Sequence, residues 1–223
     1  MARAKSKIEQ NYDTLIEIVD TLSSNTVKIY QETVEALKTL DLEVALHIIR
    51  HDQHIDDLCE DLTEEAMVTI VRQQPVATDL RKILMIMKVA NEYERIADYT
   101  KNIAEYIILI KEKESLDHYN KNVDKLVEMM EIVIKMLQYV IQGLKTEDKA
   151  IIKEAADMDS EVDAIYQEVL ASLIQHIQVV DGKVFGTAYA ILINKYIERA
   201  GDHVTNIAEE VLFALKGRRY SLN

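Results

Sequence analysis

The segment Glu94–Glu105 reads ERIADYTKNIAE, and 104 positions later the segment Glu198–Glu209 reads ERAGDHVTNIAE. Both segments carry glutamate, arginine, aspartate, asparagine, alanine and glutamate at matching positions. Generic amphipathic patterning constrains the polarity of a position much more than its identity. A duplication is therefore the economical explanation, and the chain is predicted to contain two copies of one unit.

A second pair of segments supports the duplication and places its boundary. Asp41–Asp56 reads DLEVALHIIRHDQHID, and Asp148–Asp163, 107 positions later, reads DKAIIKEAADMDSEVD with matching acidic and apolar positions. The two copies therefore divide the chain between residues 114 and 115. We expect a first three-helix repeat over residues 1–114 and a second over residues 115–223.

The apolar residues of the chain follow the spacing of long α-helices. An alternation of four and three residues marks the seam of a helix from near residue 4 to near residue 39, and it recurs in the second copy. The seam residues are Ile8, Tyr12, Leu15, Val19, Leu22, Thr26 and Ile29, then Val123, Val127, Met130, Ile134, Leu137, Ile141 and Leu144. With one Pro and 5 Gly there are few turn residues. The predicted fold class is all-α, with six long helices in two tandem three-helix bundles.

Short breaks separate the predicted helices. Asp41 is a candidate N-cap for the second helix, and Gln74-Pro75 precedes the third. Ser115 or Asp117 is predicted to open the fourth helix, and Asp181-Gly182 to close the fifth.

Composition limits the function classes. The 26 Lys+Arg and 39 Asp+Glu give a net charge of -13, which disfavours nucleic-acid binding. The one tight basic cluster, Lys216, Arg218 and Arg219, is interpreted as a helix C-terminus. A single cysteine, Cys59, suits a reducing compartment. No signal peptide is recognised and no apolar run could span a bilayer, so we expect a soluble, cytoplasmic protein.

Carboxylates occupy positions that face the predicted bundle. Glu94 and Asp98 lie on one helix face beside an apolar seam, and Asp52 falls inside the seam of the second helix. A buried carboxylate needs a cation, a hydrogen-bond donor or a proton, and clusters of oxygen ligands suit metal ions. The candidate metal ligands are Asp52, Asp56, Glu94 and Asp98 in the first copy and Asp159, Asp163, Glu198 and Asp202 in the second.

Two other interpretations of the acidic residues remain open. Arg95 can pair with Asp98, and Arg199 with Asp202, at the ordinary i,i+3 spacing of helix ion pairs. In a structural coiled-coil scaffold the same stripes would be solvated and would bind nothing. The duplication of the stripe in both copies favours a metal over these interpretations.

Two further alternatives rest on histidine. His47, His51 and His54 share a helix face that could hold a transition metal, but their counterparts are Glu154, Met158 and Glu161. Because this face is not duplicated, a solvated histidine face is favoured. A ferritin-like di-iron enzyme would need paired Glu-x-x-His motifs, and the sequence contains none. The chain is not expected to be an enzyme.

Three segments resemble the PhoU family. They are Gln74–Arg81, QPVATDLR, together with Glu94–Asp98 and Asn102–Glu105 in the first copy, and Glu198–His203 and Asn206–Glu209 in the second. The resemblance covers essentially the whole chain, including the duplication. It implies a negative regulator of phosphate uptake and of the phosphate-starvation response. Such a protein acts as an adaptor, often dimeric, between the ATPase subunit of the phosphate ABC transporter and a phosphate-sensing histidine kinase, and reaches the membrane only through these partners.

The resemblance also implies a cofactor. Family members are associated with iron, zinc, magnesium or manganese at E-x-x-x-D motifs, which here are Glu94/Asp98 and Glu198/Asp202. The sequence departs from the family pattern at Ala97, where glycine is usual, and at Ala200, where isoleucine is frequent. Neither departure removes a ligand. The alternative function is a helical metal-binding scaffold without a role in phosphate signalling.

Overall fold

The protein is helical throughout the part described by the computed structural model, which covers residues 7–112, 117–179 and 185–216. Its helices are α1 (Lys7–Thr39), α2 (Leu42–Gln73), α3 (Ala77–Lys111), α4 (Asp117–Thr146), α5 (Lys149–Asp157), α6 (Asp159–Val179) and α7 (Phe185–Lys216). The described ranges contain no β-strand. The all-α prediction is confirmed, and α5 and α6 together form the fifth of the six predicted long helices.

The fifth helix is irregular at Met158. The Met158 backbone stays in the right-handed helical region, and its N–H still donates to the Glu154 carbonyl at 3.3 Å. The next bond is of the tighter i→i+3 kind, from the Glu161 N–H to the Met158 carbonyl at 3.0 Å. This irregular turn makes Asp159 the first residue of α6.

The same turn opens the second helix of each repeat. Leu40 and Glu147, which correspond at the 107-residue offset, both adopt φ 53°. The following aspartates are N-caps. Asp41 accepts from the backbone N–H groups of Glu43 and Val44, and Asp148 accepts from those of the residues at the same two positions after it. The predicted cap at Asp41 is confirmed. The same turn and the same cap occur in both copies, and each cap provides an acceptor for N–H groups that a helix start leaves unpaired.

Removal of either cap is expected to destabilise the protein. Asp41→Ala and Asp148→Ala should each lower the free energy of unfolding by about 0.5–2 kcal/mol, because two backbone N–H groups lose their acceptor. Denaturant titration followed by circular dichroism measures the change. The matched controls Asp41→Asn and Asp148→Asn keep an acceptor oxygen and should cost less. Equal losses for Ala and Asn would contradict the cap as the cause.

The two repeats share one continuous hydrophobic core. Within the first repeat α1, α2 and α3 pack on one another, and within the second α4 packs on α5, α6 and α7. Between the repeats α1 contacts α4, and α3 contacts α7. The predicted α1 seam is buried at Leu15, Val19, Leu22, Thr26 and Ile29. The two helices with the repeated acidic motif are therefore neighbours across the repeat interface.

The C-terminal end of α1 is held by side chains from both repeats. The Lys111 ammonium donates to the Leu40 carbonyl at 2.6 Å, and the buried Tyr119 hydroxyl donates to the Leu37 carbonyl at 2.6 Å. Carbonyls at a helix C-terminus have no partner within the helix. The two bonds give partners to two of these carbonyls, and they connect α3 and α4 to the end of α1.

Some predicted features lie outside the described residues. These are the start of the first helix near residue 4, the boundary between residues 114 and 115, the Asp181-Gly182 stop, and Arg218 and Arg219 of the basic cluster. Among the helices that are described, none combines the length and the apolar character that a membrane crossing requires.

Candidate metal centre

The first acidic site lies between α2 and α3. Asp52 and Asp56 are one helical turn apart on α2, and Glu94 and Asp98 are one turn apart on α3. Asp52, Asp56 and Asp98 each offer a carboxylate oxygen, and these oxygens lie within 4.8 Å of one another. The structure thus brings together three of the four ligands predicted for this repeat.

A lysine that the sequence analysis did not identify lies in this site. The Lys101 Nζ lies 2.5 Å from Oδ2 of Asp52, whose residue is only 7% exposed. Lys101 follows Asp98 by three residues on α3, so its stem runs along the same face toward α2. Its hydrogen bond to Asp52 raises the pKa of the ammonium. The buried carboxylate of the first site therefore has a counter-ion of its own.

The other carboxylates of the first site hold protons more tightly than usual. Burial raises the pKa of Asp56, Glu94 and Asp98, and the negative charges of the neighbouring carboxylates raise it further. The Asp52 charge acts on all three. This crowding means that the site has a surplus of negative charge even with Lys101 in place.

A groove of about 560 Å³ opens beside the first site. Asp56, Glu60, Glu94, Asn91 and Cys59 are among its lining residues. The Cys59 thiol donates to the Asn91 side-chain oxygen at 3.6 Å, and burial raises the pKa of the thiol to about 11. The groove therefore presents oxygen ligands and a protonated thiol, which suits a hard cation better than a soft one.

The second acidic site lies between α6 and α7. Asp159 opens α6 and is 5% exposed, Asp163 follows one turn later, and α7 contributes Glu198 and Asp202. Burial raises the pKa of Asp159 to about 7, and the charges of Asp163, Asp202 and Glu198 contribute to the shift. Asp159 forms no ion pair within the described part of the chain, in contrast to Asp52.

A glycine lets the two helices of the second site approach each other. A Cβ placed on Gly201 would lie 2.5 Å from Oδ1 of Asp159, so the carboxylate occupies the space of the missing methyl group. The corresponding residue of the first repeat is Ala97, which is buried. Position 97 was recognised in the sequence as a departure from the family, but the carboxylate that fills the space at Gly201 was not foreseen.

Two further residues distinguish the second site from the first. The Lys195 ammonium contacts both carboxylate oxygens of Glu198, at 2.6 and 2.7 Å. Thr205 stands where the first repeat has Lys101. The buried Thr205 hydroxyl lies close enough to Asp159 to offset part of the rise in its pKa, although the contact is outside ordinary hydrogen-bond geometry.

The predicted ligands differ in exposure. Asp52 and Asp159 are buried, whereas Asp56, Glu94, Asp98 and Glu198 are half-buried and Asp163 and Asp202 are exposed. Of the eight residues, Asp52 and Asp159 therefore best match the inward orientation that the seam predicts. Assignment of the eight residues as metal ligands stays a prediction.

On the third helices Lys195 pairs with Glu198 at the i,i+3 spacing, but the arginines of the repeated motif do not pair with its aspartates. Among the described residues, no ion pair within 4.0 Å joins Arg95 to Asp98 or Arg199 to Asp202. The Arg199 guanidinium lies instead over the Tyr99 ring, 5.9 Å from its centre. The Arg199 guanidinium therefore contacts an aromatic ring, whereas the Arg95 charge acts on Glu94 without an ion pair to Asp98.

The residues fit a metal ion in their chemistry. The first site gathers three carboxylate oxygens within 4.8 Å, the one such group among the described residues, and the second has a buried carboxylate without an ion-pair partner that packs over a glycine. Oxygen ligands of this kind hold Mg²⁺, Mn²⁺ and iron, and carboxylates also bind zinc. The donor sets therefore favour a hard divalent or trivalent cation.

The histidine face has another arrangement. The rings of His47 and His51 stack at 5.8 Å, and those of His51 and His54 lie 5.4 Å apart. Nδ1 of His47 is 2.9 Å from a Glu32 carboxylate oxygen, and both His47 and His54 are exposed. In the described ranges, these histidines are not part of any group of three ligand atoms within 4.8 Å. His47 and His54 match the solvated face that the sequence favours, but His51 is half-buried, its Nε2 is buried without a hydrogen-bond partner among the described residues, and burial lowers its pKa.

A hydrogen-bond chain crosses the interface between the repeats close to both motifs. Nδ1 of His203 lies 2.5 Å from Oε2 of Glu92, and Nε2 lies 2.8 Å from the Tyr99 hydroxyl. A neutral ring with its proton on Nδ1 would donate to Glu92 and accept from Tyr99. Burial opposes ionisation of Glu92, but hydrogen bonds from His203 and Asn206 outweigh it, and the pKa is lowered. These hydrogen bonds join α3 to α7. They could not be predicted from the sequence because the residues that form them lie in different repeats.

The family model described as "PhoU domain" matches this chain twice, over residues 19–107 and 126–211. Each match falls in one of the two repeats. The chain is similar to the "Phosphate-specific transport system accessory protein PhoU homolog" of Zymomonas mobilis, with 34% identity over 187 residues, which are 84% of this chain and 77% of that protein. The protein of the same name from Rhizobium meliloti is 28% identical over 216 residues, 97% of this chain and 90% of its own length.

Solved structures share the fold. The phosphate transport system regulatory protein PhoU from Streptococcus pneumoniae superimposes with a TM-score of 0.88 at 19% identity, covering 96% of this chain and all of that one. PhoU from Pseudomonas aeruginosa gives a TM-score of 0.87 at 26% identity, with 95% of this chain and 100% of that chain covered.

Proposed function

Because the chain belongs to the PhoU family, we propose that it is a negative regulator of phosphate uptake and of the phosphate-starvation response. It acts as an adaptor between the ATPase subunit of a phosphate ABC transporter and a phosphate-sensing histidine kinase. The observation that carries this proposal is the family match in both repeats, over residues 19–107 and 126–211. Relatives named as accessory proteins of phosphate-specific transport, similar over most of their length, support it.

The adaptor role fits the surface of the molecule. Met67 and Val71, near the end of α2, are 50% and 75% exposed and line an apolar groove with Val68. Exposed apolar side chains in a shared groove suit contact with another protein. The proposal includes a cytoplasmic homodimer, since the family resemblance implies both, and the membrane is reached only through the transporter.

Metal binding belongs to the same proposal. One metal ion would be bound by Asp52, Asp56, Glu94 and Asp98. A second would be bound by Asp159, Asp163, Glu198 and Asp202. The bound ion is iron, zinc, magnesium or manganese. It would supply positive charge that lets the buried carboxylates ionise and that connects α2 to α3 and α6 to α7. The role is structural or regulatory, and no catalytic step is assigned to it.

Deletion of the gene is expected to derepress a phosphate-starvation reporter several-fold in cells grown with ample phosphate, because the kinase loses its inhibitory adaptor. Reporter activity in high and low phosphate measures the effect. Expression of the full chain from a plasmid should restore repression, and the empty plasmid is the control. A reporter that stays repressed in the deletion strain would argue against the regulatory role and favour the alternative, a metal-binding scaffold without a role in phosphate signalling.

A further inference from the structure

We propose that Lys101 is a built-in counter-ion that occupies the place of a metal ion at Asp52, so that the two repeats are inequivalent metal sites and the second has the higher affinity. The inference rests on the proposed metal binding. It goes beyond the duplicated motif, which by itself predicts two equal sites.

The first step is the position of the lysine. Its Nζ lies 2.5 Å from Oδ2 of Asp52, and Asp52 is one of three residues whose oxygens lie within 4.8 Å of one another. A cation held by Asp52, Asp56 and Asp98 would share the Asp52 carboxylate with the ammonium. Lys101 bonds only Oδ2, so the other Asp52 oxygen remains open to a metal, but an ammonium and a divalent ion on one carboxylate repel each other, and metal binding is weakened unless Lys101 moves away.

The displacement is feasible but costly. The Lys101 side chain is 40% exposed, so its ammonium can move into water. The hydrogen bond that it leaves joins two charged groups, the stronger class of protein hydrogen bond. Breaking it should weaken metal binding at the first site by about 10- to 100-fold.

The second step is the absence of such a lysine from the second repeat. Thr205 occupies the position that corresponds to Lys101, is 2% exposed, and offers Asp159 a neutral hydroxyl instead of an ammonium. Asp159, near this hydroxyl, has no ion-pair partner in the described ranges. A buried carboxylate whose charge meets only a weak contact with a neutral hydroxyl is costly to ionise, and a bound ion would balance that charge.

The third step concerns the lysine that the second repeat does contain. Lys195 contacts both oxygens of Glu198 and, among the described residues, forms no ion pair with Asp159, so it would compete with a metal for Glu198 but not for the buried carboxylate. The Asp159 carboxylate packs over Gly201, with Oδ1 2.5 Å from the point where a Cβ would be. The buried carboxylate of the second site is therefore held in place without a cation from the chain itself.

The proposal is tested by exchange of the two residues in the full-length protein. Lys101→Thr gives the first site the residue of the second, and Thr205→Lys does the reverse. Metal-stripped wild type and variants are titrated with Mn²⁺, and bound ion is measured by calorimetry and by elemental analysis after gel filtration. Lys101→Thr should tighten the weaker Mn²⁺ site by about 10- to 100-fold. Thr205→Lys should remove the tighter one.

Two matched controls separate the effect of side-chain charge on Mn²⁺ affinity from the effect of side-chain shape. Lys101→Arg retains a cation at Asp52 and should leave the weak site weak. Thr205→Val retains the shape of threonine without its hydroxyl or a charge, and should reduce Mn²⁺ affinity much less than Thr205→Lys. Circular dichroism establishes that each variant is helical. Because Lys101 is partly exposed, Lys101→Thr tests the proposal even where Thr205→Lys does not fold.

The outcomes separate this inference from the proposal on which it rests. Wild type and variants that all bind no Mn²⁺ would overturn the metal sites themselves. Two equal sites in the wild type, or Mn²⁺ affinities that neither substitution changes, would overturn only the inequivalence that is drawn from Lys101.

Discussion

Asp159→Asn is expected to stabilise the metal-free protein at neutral and alkaline pH. Asp159 is 5% exposed, has no ion-pair partner among the described residues, and has a pKa raised from 3.8 to about 7 by burial and by neighbouring carboxylates. A shift of this size costs the folded state on the order of 4 kcal/mol once the group is ionised. Asparagine keeps the shape and the oxygen and removes the charge, so most of this cost should disappear.

The pH dependence gives the sign of the effect. Because the folded-state pKa of Asp159 lies above the ordinary value of 3.8, the folded chain binds its proton more tightly than the unfolded chain does. The contribution to stability is therefore full below about pH 4, decreases as the pH rises to about 7, and changes little above that. The difference between wild type and Asp159→Asn should follow this curve and vanish in acid.

Urea unfolding of chelator-treated protein between pH 4 and pH 8 measures this difference. Asp52→Asn is the matched control, since it neutralises the corresponding residue of the first repeat. Asp52 contacts Lys101, so its replacement should cost a modest amount, on the order of 1 kcal/mol, because the lysine is partly exposed. Opposite signs for the two variants are the expected result. A destabilised Asp159→Asn protein at pH 8 would show that Asp159 has a partner that balances its charge.

Replacement of Asp98 and Asp202 together by Asn is expected to strip most of the bound metal from the purified protein. Asp98 is one of the three residues gathered within 4.8 Å, and the Asp202 charge acts on Asp159. Loss of even an outer-shell partner costs about 10- to 100-fold in metal affinity, and loss of a direct ligand should cost at least as much. The double variant should therefore contain little iron, zinc, magnesium or manganese.

Elemental analysis of wild type and variant, purified side by side, measures the metal content. The matched control is the double variant Asp57→Asn and Asp61→Asn, which removes two exposed carboxylates of α2 that are not among the predicted ligands. The control should retain wild-type metal. Equal, near-zero metal in wild type and double variant would remove the metal hypothesis and would leave the adaptor role as it stands.

Much of the fold could be predicted from local patterns. The heptad seam of α1 identified Leu15, Val19, Leu22 and Ile29, which are buried, because helical spacing by itself decides which residues share a face. The repeat offset predicted one unit occurring twice, and the turns at Leu40 and Glu147 repeat even their backbone angles. The family resemblance was confirmed by the matches in both repeats.

The candidate site could be predicted only in outline. Spacing placed Asp52 and Glu94 toward the bundle, and Asp52 is indeed buried. It could not show that Lys101 reaches Asp52, because a lysine on a helix face can point into water or across to a neighbour. The exchange of lysine for threonine between positions 101 and 205 was visible in the repeat alignment, and it is the signal that could have revealed the difference.

The sequence by itself determined which residues are helical, where the copies begin to match, and which carboxylates share a helix face, since these follow from spacing along one chain. Only the tertiary structure decided which carboxylate has a counter-ion and how the repeats meet. Asp52 pairs with Lys101 of another helix, and His203 joins Glu92 and Tyr99 of the other repeat. Contacts between residues far apart in the chain depend on how helices pack, and the periodicity of one helix does not contain that information.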